Sequence, residues 1–255
     1  WDVSGDVLKQ AADGSGPAPG TRIVGVMNTG AWAERAAIET AWIAPLPDNV
    51  SYETAATLPV AGLTALYSLE QAGQLLGRRV LVTGASGGVG QYGVQLAKLS
   101  GASVTALVRR AETVDALLAI GADQVIVGED GKGTIENSPY HCILDSVGGQ
   151  VLADSLNLVA RGGILVNYGI SSGEKATIDA GEFFRTGRSR YYGLYLFTEF
   201  GRRPARDGLR VLAGLLAEGK LSVHIDATGN LAELGSLAER LFKREITGKG
   251  VVLVD

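Results

Sequence analysis

The chain has 255 residues, of which 20% are charged, and its formal net charge is −4. This length allows one large domain or two ordinary ones, and the acidic balance argues against nucleic acid or an anionic membrane surface as a partner. The single cysteine excludes an internal disulfide and suits a reducing cytosol, so a cytoplasmic location is expected. Two histidines make a zinc site hard to assemble, and no apolar run approaches the roughly 20 residues that cross a bilayer.

The first fifty residues contain short β-type runs such as "TRIVGVM" and "AERAAI". Asn49 or Ser51 is expected to begin a helix, because a capping residue there precedes an acidic one. The next segment, "AGLTALYSLEQAGQL", has helical spacing.

From Arg79 the sequence alternates between strand-type and helix-type segments. Apolar β runs are "VLVT", "ASVTALV", "DQVIV", "HCILD", "GGILVNY" and "YYGLYLF"; helical segments are "VGQYGVQLAKLS", "ETVDALLAI", "GQVLADSLNLV" and "DGLRVLAGLLAEG". This alternation predicts an α/β fold with a doubly wound parallel sheet of the Rossmann type. The end of the chain is expected to add a strand, a helix and a strand.

The glycine-rich stretch "VTGASGGVG" follows one of these strands and opens a helix, which is the setting of a dinucleotide-binding turn. Gly87 would let the backbone approach a pyrophosphate, and Gly90 would allow close packing, while Ala85 occupies the place of the usual first glycine. Free N–H groups at the helix start would hold the anion. A P-loop is excluded because Gln91, rather than lysine, follows the last glycine. The predicted cofactor-binding residues here are Ser86, Gly87, Gly88 and Val89.

The same stretch also fits the TGxxxGxG pattern of short-chain dehydrogenases. Those enzymes need a Tyr-x-x-x-Lys pair, in which the lysine lowers the pKa of the tyrosine. Tyr140, Tyr168 and Tyr191 are followed four residues later by Leu, Ser and Tyr, so the short-chain interpretation fails.

The end of the second predicted strand indicates which nucleotide is bound. An NAD-binding chain places a carboxylate there, whereas this chain has "ALVRRAE" with Arg109 and Arg110. A guanidinium can fork onto a 2′-phosphate, which predicts NADPH; the alternative is a solvated arginine pair.

Several segments together resemble a known family. They are "GAWAERAAI", "LPDNVSYETAATLPVAGLTALYSL", "VLVTGASGGVGQYGVQLAKLSGA", "IGADQVI", "ILDSVGG" and "GGILVNYG". Their order is similar to that in zinc-independent medium-chain dehydrogenase/reductases, in the quinone oxidoreductase branch that includes zeta-crystallin.

The resemblance implies a Rossmann domain at residues 59–219, inserted into a GroES-like β-rich domain formed by residues 1–58 and 220–255. It further implies that "WDVSGDVL" matches an internal strand of the family, so that the GroES-like domain is N-terminally incomplete. The link "GVMNT" lacks the cysteine-rich lobe of zinc-dependent relatives, so no metal is expected. Cys142, beside His141, is expected to be a buried structural cysteine, and His224 a surface or core residue.

The resemblance also suggests site residues on the nicotinamide side. Thr64 would lie near the nicotinamide and is the candidate catalytic residue, able to donate to a substrate carbonyl; the alternative is a helix threonine bonded to its own backbone. No residue is assigned as acid or base. The remaining predicted cofactor-binding residues are Tyr168, Gly169, Ile170, Gly193, Leu194 and Tyr195. Of these, Tyr168 and Tyr195 are expected to be either pocket walls or packed side chains.

The predicted function is NADPH-dependent hydride transfer, without metal, to a quinone or an α,β-unsaturated carbonyl. One alternative is an NADPH-binding protein without turnover. Another is RNA binding through "FFRTGRSRYYGLYLF", with Arg185, Arg188 and Arg190 beside aromatic residues, which the negative net charge disfavours. The apolar strand of this stretch resembles the family's dimer edge, so a homodimer is expected.

Overall fold

The computed structural model describes residues 1–130 and 132–254, and these divide into two units. Unit 1 comprises Trp1–Leu63 and Leu196–Asp255, and unit 2 comprises Thr64–Tyr195. Asp255, the predicted end of the GroES-like segment, lies outside the described residues. Unit 2 is therefore a continuous stretch of chain inserted into a discontinuous one.

The elements alternate along unit 2 as the sequence predicts. The strands are β1 (Asp2–Asp6), β2 (Arg22–Val26), β3 (Ile43–Pro45), β4 (Arg79–Thr83), β5 (Ser103–Val108), β6 (Gln124–Val127), β7 (Tyr140–Asp145), β8 (Val159–Asn167), β9 (Arg190–Gly193), β10 (Ile225–Asn230) and β11 (Lys249–Leu253). The helices are α1 (Tyr52–Ala55), α2 (Leu63–Glu70), α3 (Gly88–Leu99), α4 (Val114–Ala119), α5 (Gly149–Leu156), α6 (Ala180–Thr186), α7 (Leu196–Glu199), α8 (Ala205–Ala217) and α9 (Leu234–Phe242).

Unit 1 contains an antiparallel sheet in the order β1-β2-β3. The strand predicted for "AERAAI" does not form, and this prediction is wrong: residues 33–38 carry no strand and are mostly exposed. The alanines of this stretch therefore do not pack against an apolar surface of the described residues. The helix start is confirmed at Ser51, whose side chain accepts a hydrogen bond from the Thr54 N–H at the beginning of α1.

Helix α8 belongs to unit 1, where it packs on β2, on β3 and on the π-helical turn Leu58–Gly62. An added Cβ at Gly62 would lie 2.9 Å from Leu212 Cδ1, so glycine lets the helix approach closely. The Asn49 side chain donates to the Ala217 carbonyl at 2.9 Å. These contacts assign residues 59–63 and 196–219 to unit 1, whereas the sequence placed both stretches in the Rossmann domain.

The predicted strand, helix and strand at the end of the chain are observed. Strands β10 and β11 pair in parallel, and α9 packs against both. The helical segment starts with a capping box between Asn230 and Glu233. The identification of unit 1 as a GroES-like domain stays a prediction.

Unit 2 contains a six-stranded parallel sheet in the order β6-β5-β4-β7-β8-β9, which confirms the predicted α/β fold. The chain starts at β4 in the middle, runs outward to β6, and returns to continue with β7. The order therefore reverses between β4 and β7, and in such sheets ligands bind outside the carboxyl ends of the strands at this point. Central side chains such as Leu81, Ile143 and Leu165 are fully buried.

The last strand of this sheet is shorter than predicted. The strand begins at Arg190 and includes only the first three residues of "YYGLYLF", Tyr191 to Gly193, and Leu196 begins α7. Strand β8, with which β9 pairs, ends at Asn167, and Asn167 pairs with Gly193. Residues after Gly193 therefore have no part of β8 to pair with. Among the described residues, no helix has the length and apolarity to cross a bilayer.

Candidate cofactor-binding site

The glycine-rich turn between β4 and α3 is wound closely around the first turn of the helix. The Gly87 N–H donates to the Gly84 carbonyl at 3.0 Å. An added Cβ at Gly90 would lie 2.6 Å from both Ala85 Cα and the Gly84 carbonyl oxygen. Such contacts are shorter than any side chain tolerates, so only glycine fits at position 90. The close packing predicted for Gly90 agrees with this geometry.

The first glycine of the turn is Gly84, which the sequence analysis passed over when it aligned Ala85 with the motif. Gly84 has φ +59°, a left-handed conformation that favours glycine. An added Cβ there would lie 2.3 Å from Ser146 Oγ, in the loop after β7. The sequence feature that indicates this glycine is the dipeptide "TG", in which Gly84 directly follows Thr83 at the end of the predicted strand.

The start of α3 offers backbone donors. No side chain caps this 12-residue helix, and the Gln91 N–H is the first to find an acceptor, the Gly87 carbonyl. The N–H groups of Gly88, Val89 and Gly90 precede it and have no intrahelical acceptor. The Gln91 side chain holds the Ser86 carbonyl at 2.9 Å. Oriented N–H groups and the helix dipole together suit a phosphate group.

The two arginines follow β5 at the same edge of the sheet. Arg109 is exposed, whereas Arg110 is partly buried and its Nε lies 3.6 Å from Glu112 Oε1. The ion pair places the Glu112 carboxylate close to the predicted 2′-phosphate site, where the sequence had predicted no carboxylate.

A buried polar cluster, which the sequence analysis missed, lies at the ends of β4, β7 and β8. Asp145 is 0% exposed, and its carboxylate accepts hydrogen bonds from Thr83 Oγ1 at 2.7 Å, from Asn167 Nδ2 at 2.8 Å and from the Gly148 N–H at 3.1 Å. The Asn167 amide also donates to the Gly169 carbonyl at 2.7 Å and accepts from the Tyr191 hydroxyl at 3.3 Å. We call Thr83, Asp145 and Asn167 the strand-end cluster.

Tyr168 lies directly beyond the end of β8 and is partly exposed as a whole residue. Its hydroxyl oxygen is inaccessible to solvent. Burial raises the pKa of this hydroxyl, and the neighbouring Asp145 carboxylate raises it further. Tyr168 therefore cannot present an acidic hydroxyl to a bound substrate.

The other predicted residues lie at the same carboxyl edge, with one exception. Gly169 and Ile170 follow β8, and the Leu194 N–H beyond β9 donates to the Asn167 carbonyl at 2.8 Å. Ile170 and Tyr195 are exposed at this edge, as is Gly193. The exception is Thr64 on α2, which precedes β4 in the chain. It is 6% exposed, and its hydroxyl makes no hydrogen bond to any described residue.

The family model for zinc-binding dehydrogenases matches residues 88–210. In sequence, the chain is 29% identical over 243 residues to acrylyl-CoA reductase AcuI of Ruegeria pomeroyi, covering 91% of this chain and 72% of that one. It is 29% identical over 265 residues to a chloroplast envelope quinone oxidoreductase homolog of Arabidopsis thaliana, covering 98% and 78%. It is also 35% identical over 187 residues to a spectinabilin polyketide synthase system protein of Streptomyces orinoci, covering 71% of this chain but 8% of that protein.

Two solved structures superpose over nearly the whole chain. Escherichia coli quinone oxidoreductase complexed with NADPH gives a TM-score of 0.88 at 26% identity, covering 99% of this chain and 81% of that one. The chain is similar to medium-chain dehydrogenase/reductases of the quinone oxidoreductase type. A mycobacterial protein complexed with NADPH gives the same TM-score at 27% identity, covering 99% of this chain and 81% of that one.

Grouped metal ligands are absent from the described residues. Within the part of the chain that the structure describes, no three His, Cys, Asp or Glu side chains are grouped so that they could hold a metal ion. Cys142 is fully buried as expected, and burial raises the pKa of its thiol to about 12. His224 lies at the surface, with Nε2 3.7 Å from Asp226 Oδ1. Zinc independence stays a prediction.

Proposed function

We propose that this chain binds NADPH at the carboxyl edge of the unit 2 sheet and reduces a quinone or an α,β-unsaturated carbonyl. The observation that carries the proposal is the turn before α3, where Gly90 leaves no room for a Cβ and the N-cap residue Gly87 supplies no side-chain acceptor to the first N–H groups of the helix. Two structural neighbours solved with NADPH support the choice of cofactor.

The residues present fit such a cofactor. The turn and the start of α3 suit a pyrophosphate, because the first backbone N–H groups of the helix have no intrahelical acceptor and Gly87 beside them is exposed. Arg109 and Arg110 lie beyond β5, where the adenosine ribose of a dinucleotide is held. When bound, NADPH supplies the hydride for the reduction.

Thr64 is the proposed hydroxyl donor to the substrate carbonyl. Its Oγ1 has no hydrogen-bond acceptor among the described residues, so the proton is not committed to its own helix backbone. A hydrogen bond from this hydroxyl would stabilise negative charge developing on the carbonyl oxygen. Tyr168 cannot take this role, since its hydroxyl is buried.

The substrate class is open between two chemistries. Relatives include an acrylyl-CoA reductase, whose substrate is an α,β-unsaturated thioester, and quinone oxidoreductases. In both substrate types a carbonyl is conjugated to a carbon–carbon double bond, and addition of a hydride leaves negative charge on the carbonyl oxygen. A site built from backbone donors and one hydroxyl suits either.

The test is NADPH oxidation with a panel of quinones, enones and enoyl thioesters. We expect steady turnover with at least one class, and slower turnover with NADH. If NADPH binds but no member of the panel is reduced, the chain is an NADPH-binding protein without turnover. If NADPH does not bind, both parts of the proposal fail.

A homodimer that forms through the edge strand β9 is the second expectation. In the sheet formed by the described residues, β9 is an edge strand with no neighbour on its outer side, and Tyr191 on it is 49% exposed. We expect a dimer in sedimentation at micromolar concentration. Tyr191→Lys should be a monomer, because a charged lysine on an edge strand opposes its pairing with a strand of another chain. The matched control is Val127→Lys on β6, the opposite edge of the sheet, where the side chain is 48% exposed. A monomeric wild type, or dissociation by Val127→Lys alone, would contradict this.

A further inference from the structure

We propose that Asp145 is a positioning residue that joins the loops under the nicotinamide half of a bound dinucleotide. The inference rests on the NADPH site proposed above and concerns its internal support. Asp145 makes this role possible through its place at the end of β7, beside the point where the strand order reverses.

The carboxylate of Asp145 joins three successive parts of the sheet edge. Thr83 ends β4 and leads into the glycine turn, and Asn167 ends β8 and leads into residues 168–170. Both side chains donate to Asp145, as does the Gly148 N–H of its own loop. Because all of these partners are donors, the site requires a side chain that accepts on both oxygens.

The loop after β7 lies against both neighbouring loops. Ser146 Oγ donates to the Thr83 carbonyl at 3.1 Å, and the Ser146 carbonyl accepts from the Ser171 N–H at 3.0 Å. An added Cβ at Gly169 would lie 2.9 Å from the Ser146 carbonyl oxygen. With Gly84 in contact on the other side, residues 146–149 form a wedge between the glycine turn and residues 168–170.

The sheet order decides which half of the ligand this wedge supports. A dinucleotide lies across the reversal point, with its pyrophosphate at the start of α3. Its adenosine half would then lie over β5, on the side of Arg109, and its other half would extend over the ends of β7 and β8. Asp145 is buried at the end of β7, so it would lie beneath that second half, whereas the arginines follow β5 on the other side of β4.

Asparagine at position 145 would keep the shape but replace an acceptor with a donor. Its amide would then face either the Val147 N–H, which donates to Asp145 Oδ1 at 3.4 Å, or the Gly148 N–H and the Asn167 amide on the Oδ2 side. A flipped Asn167 would turn its oxygen toward the Gly169 carbonyl. Either arrangement leaves a buried polar group unpaired. We therefore expect the loops around Ser146 and Gly169 to shift while the glycine turn and the arginines stay in place.

The experiment compares two ligands on the full chain. NADPH covers the whole site, whereas 2′,5′-ADP covers only the adenosine half. For Asp145→Asn we expect the affinity for NADPH to fall about tenfold or more, the size of one lost buried hydrogen bond, and the affinity for 2′,5′-ADP to stay within about twofold. The matched control is Asp154→Asn on α5, where the carboxylate accepts from Gln150 away from the cluster, and both affinities should stay unchanged.

The remaining outcomes separate the two levels of the proposal. An equal loss for both ligands, or no loss for either, would overturn the positioning role. Thr83→Val removes one donor while keeping the side-chain shape, and the same selective loss is expected, so the test survives if Asp145→Asn does not fold. A wild-type chain that binds neither ligand would overturn the NADPH site itself.

Discussion

The Gly90→Ala variant is expected to bind NADPH about 100-fold more weakly than the wild type. Its added Cβ would lie 2.6 Å from Ala85 Cα and from the Gly84 carbonyl oxygen, which are backbone atoms that cannot rotate away. The start of α3 must therefore separate from the turn. The N–H groups would then lose their aim at the pyrophosphate, and a 100-fold loss equals about 3 kcal/mol, one or two charge-assisted hydrogen bonds.

Calorimetric titration with NADPH measures this effect, and thermal unfolding shows how far the fold itself is disturbed. The matched control is Gly214→Ala within α8, where an added Cβ meets no atom within 4 Å. Alanine there should leave NADPH binding unchanged and raise stability by about 0.5–1 kcal/mol, because glycine is a poor helix former. Wild-type affinity in Gly90→Ala would mean that the turn does not hold the cofactor.

The double substitution of Arg109 and Arg110 by alanine is expected to remove the preference for NADPH over NADH. Each charge-assisted hydrogen bond to a phosphate contributes about 1.5–3 kcal/mol, so the affinity for NADPH should fall at least tenfold. NADH lacks the 2′-phosphate, and its affinity should change little. Titration of both dinucleotides measures the ratio, and an equal loss for NADH would contradict the assignment of the arginines.

Glu112 provides a sharper form of the same test. Its carboxylate lies 3.6 Å from Arg110 Nε and adds negative charge near the predicted 2′-phosphate. Glu112→Gln should therefore raise the affinity for NADPH by about twofold to fivefold, in the range of an exposed ion pair, and leave NADH unaffected. Weaker NADPH binding in Glu112→Gln would mean that this carboxylate orients Arg110 productively.

Much of the fold could be predicted from the sequence because unit 2 is built from strongly periodic segments. Apolar runs such as the one ending at Thr83 become buried parallel strands, and the glycine spacing places a turn before α3. Local patterns of this kind act over a few residues and can be read without knowing the tertiary structure. The strand predicted at 33–38 failed because a short alanine-rich run becomes a strand only if a sheet lies beside it.

The strand-end cluster could not be predicted in this way. Thr83, Asp145 and Asn167 are far apart in the sequence, and each one alone is an ordinary residue at the end of a strand. What joins them is the strand order β4-β7-β8, which no local pattern contains. The role of Gly84 was hidden for the same reason, since the atom that excludes a side chain there belongs to Ser146. The placement of residues 196–219 depended likewise on where α8 finds its partner strands.

The division of unit 1 has a consequence for how the nascent chain acquires its structure. Strands β2 and β3 leave the ribosome early, but the helix that covers them, α8, follows only after all of residues 64–195 have been made. Val24 and Val26 are fully buried in the folded protein, and they reach this burial only after α8 has been synthesised. Unit 2 is continuous and can fold as soon as it emerges, because domains fold as units during synthesis. Unit 2 therefore folds first, and unit 1, whose two segments flank it, is completed last.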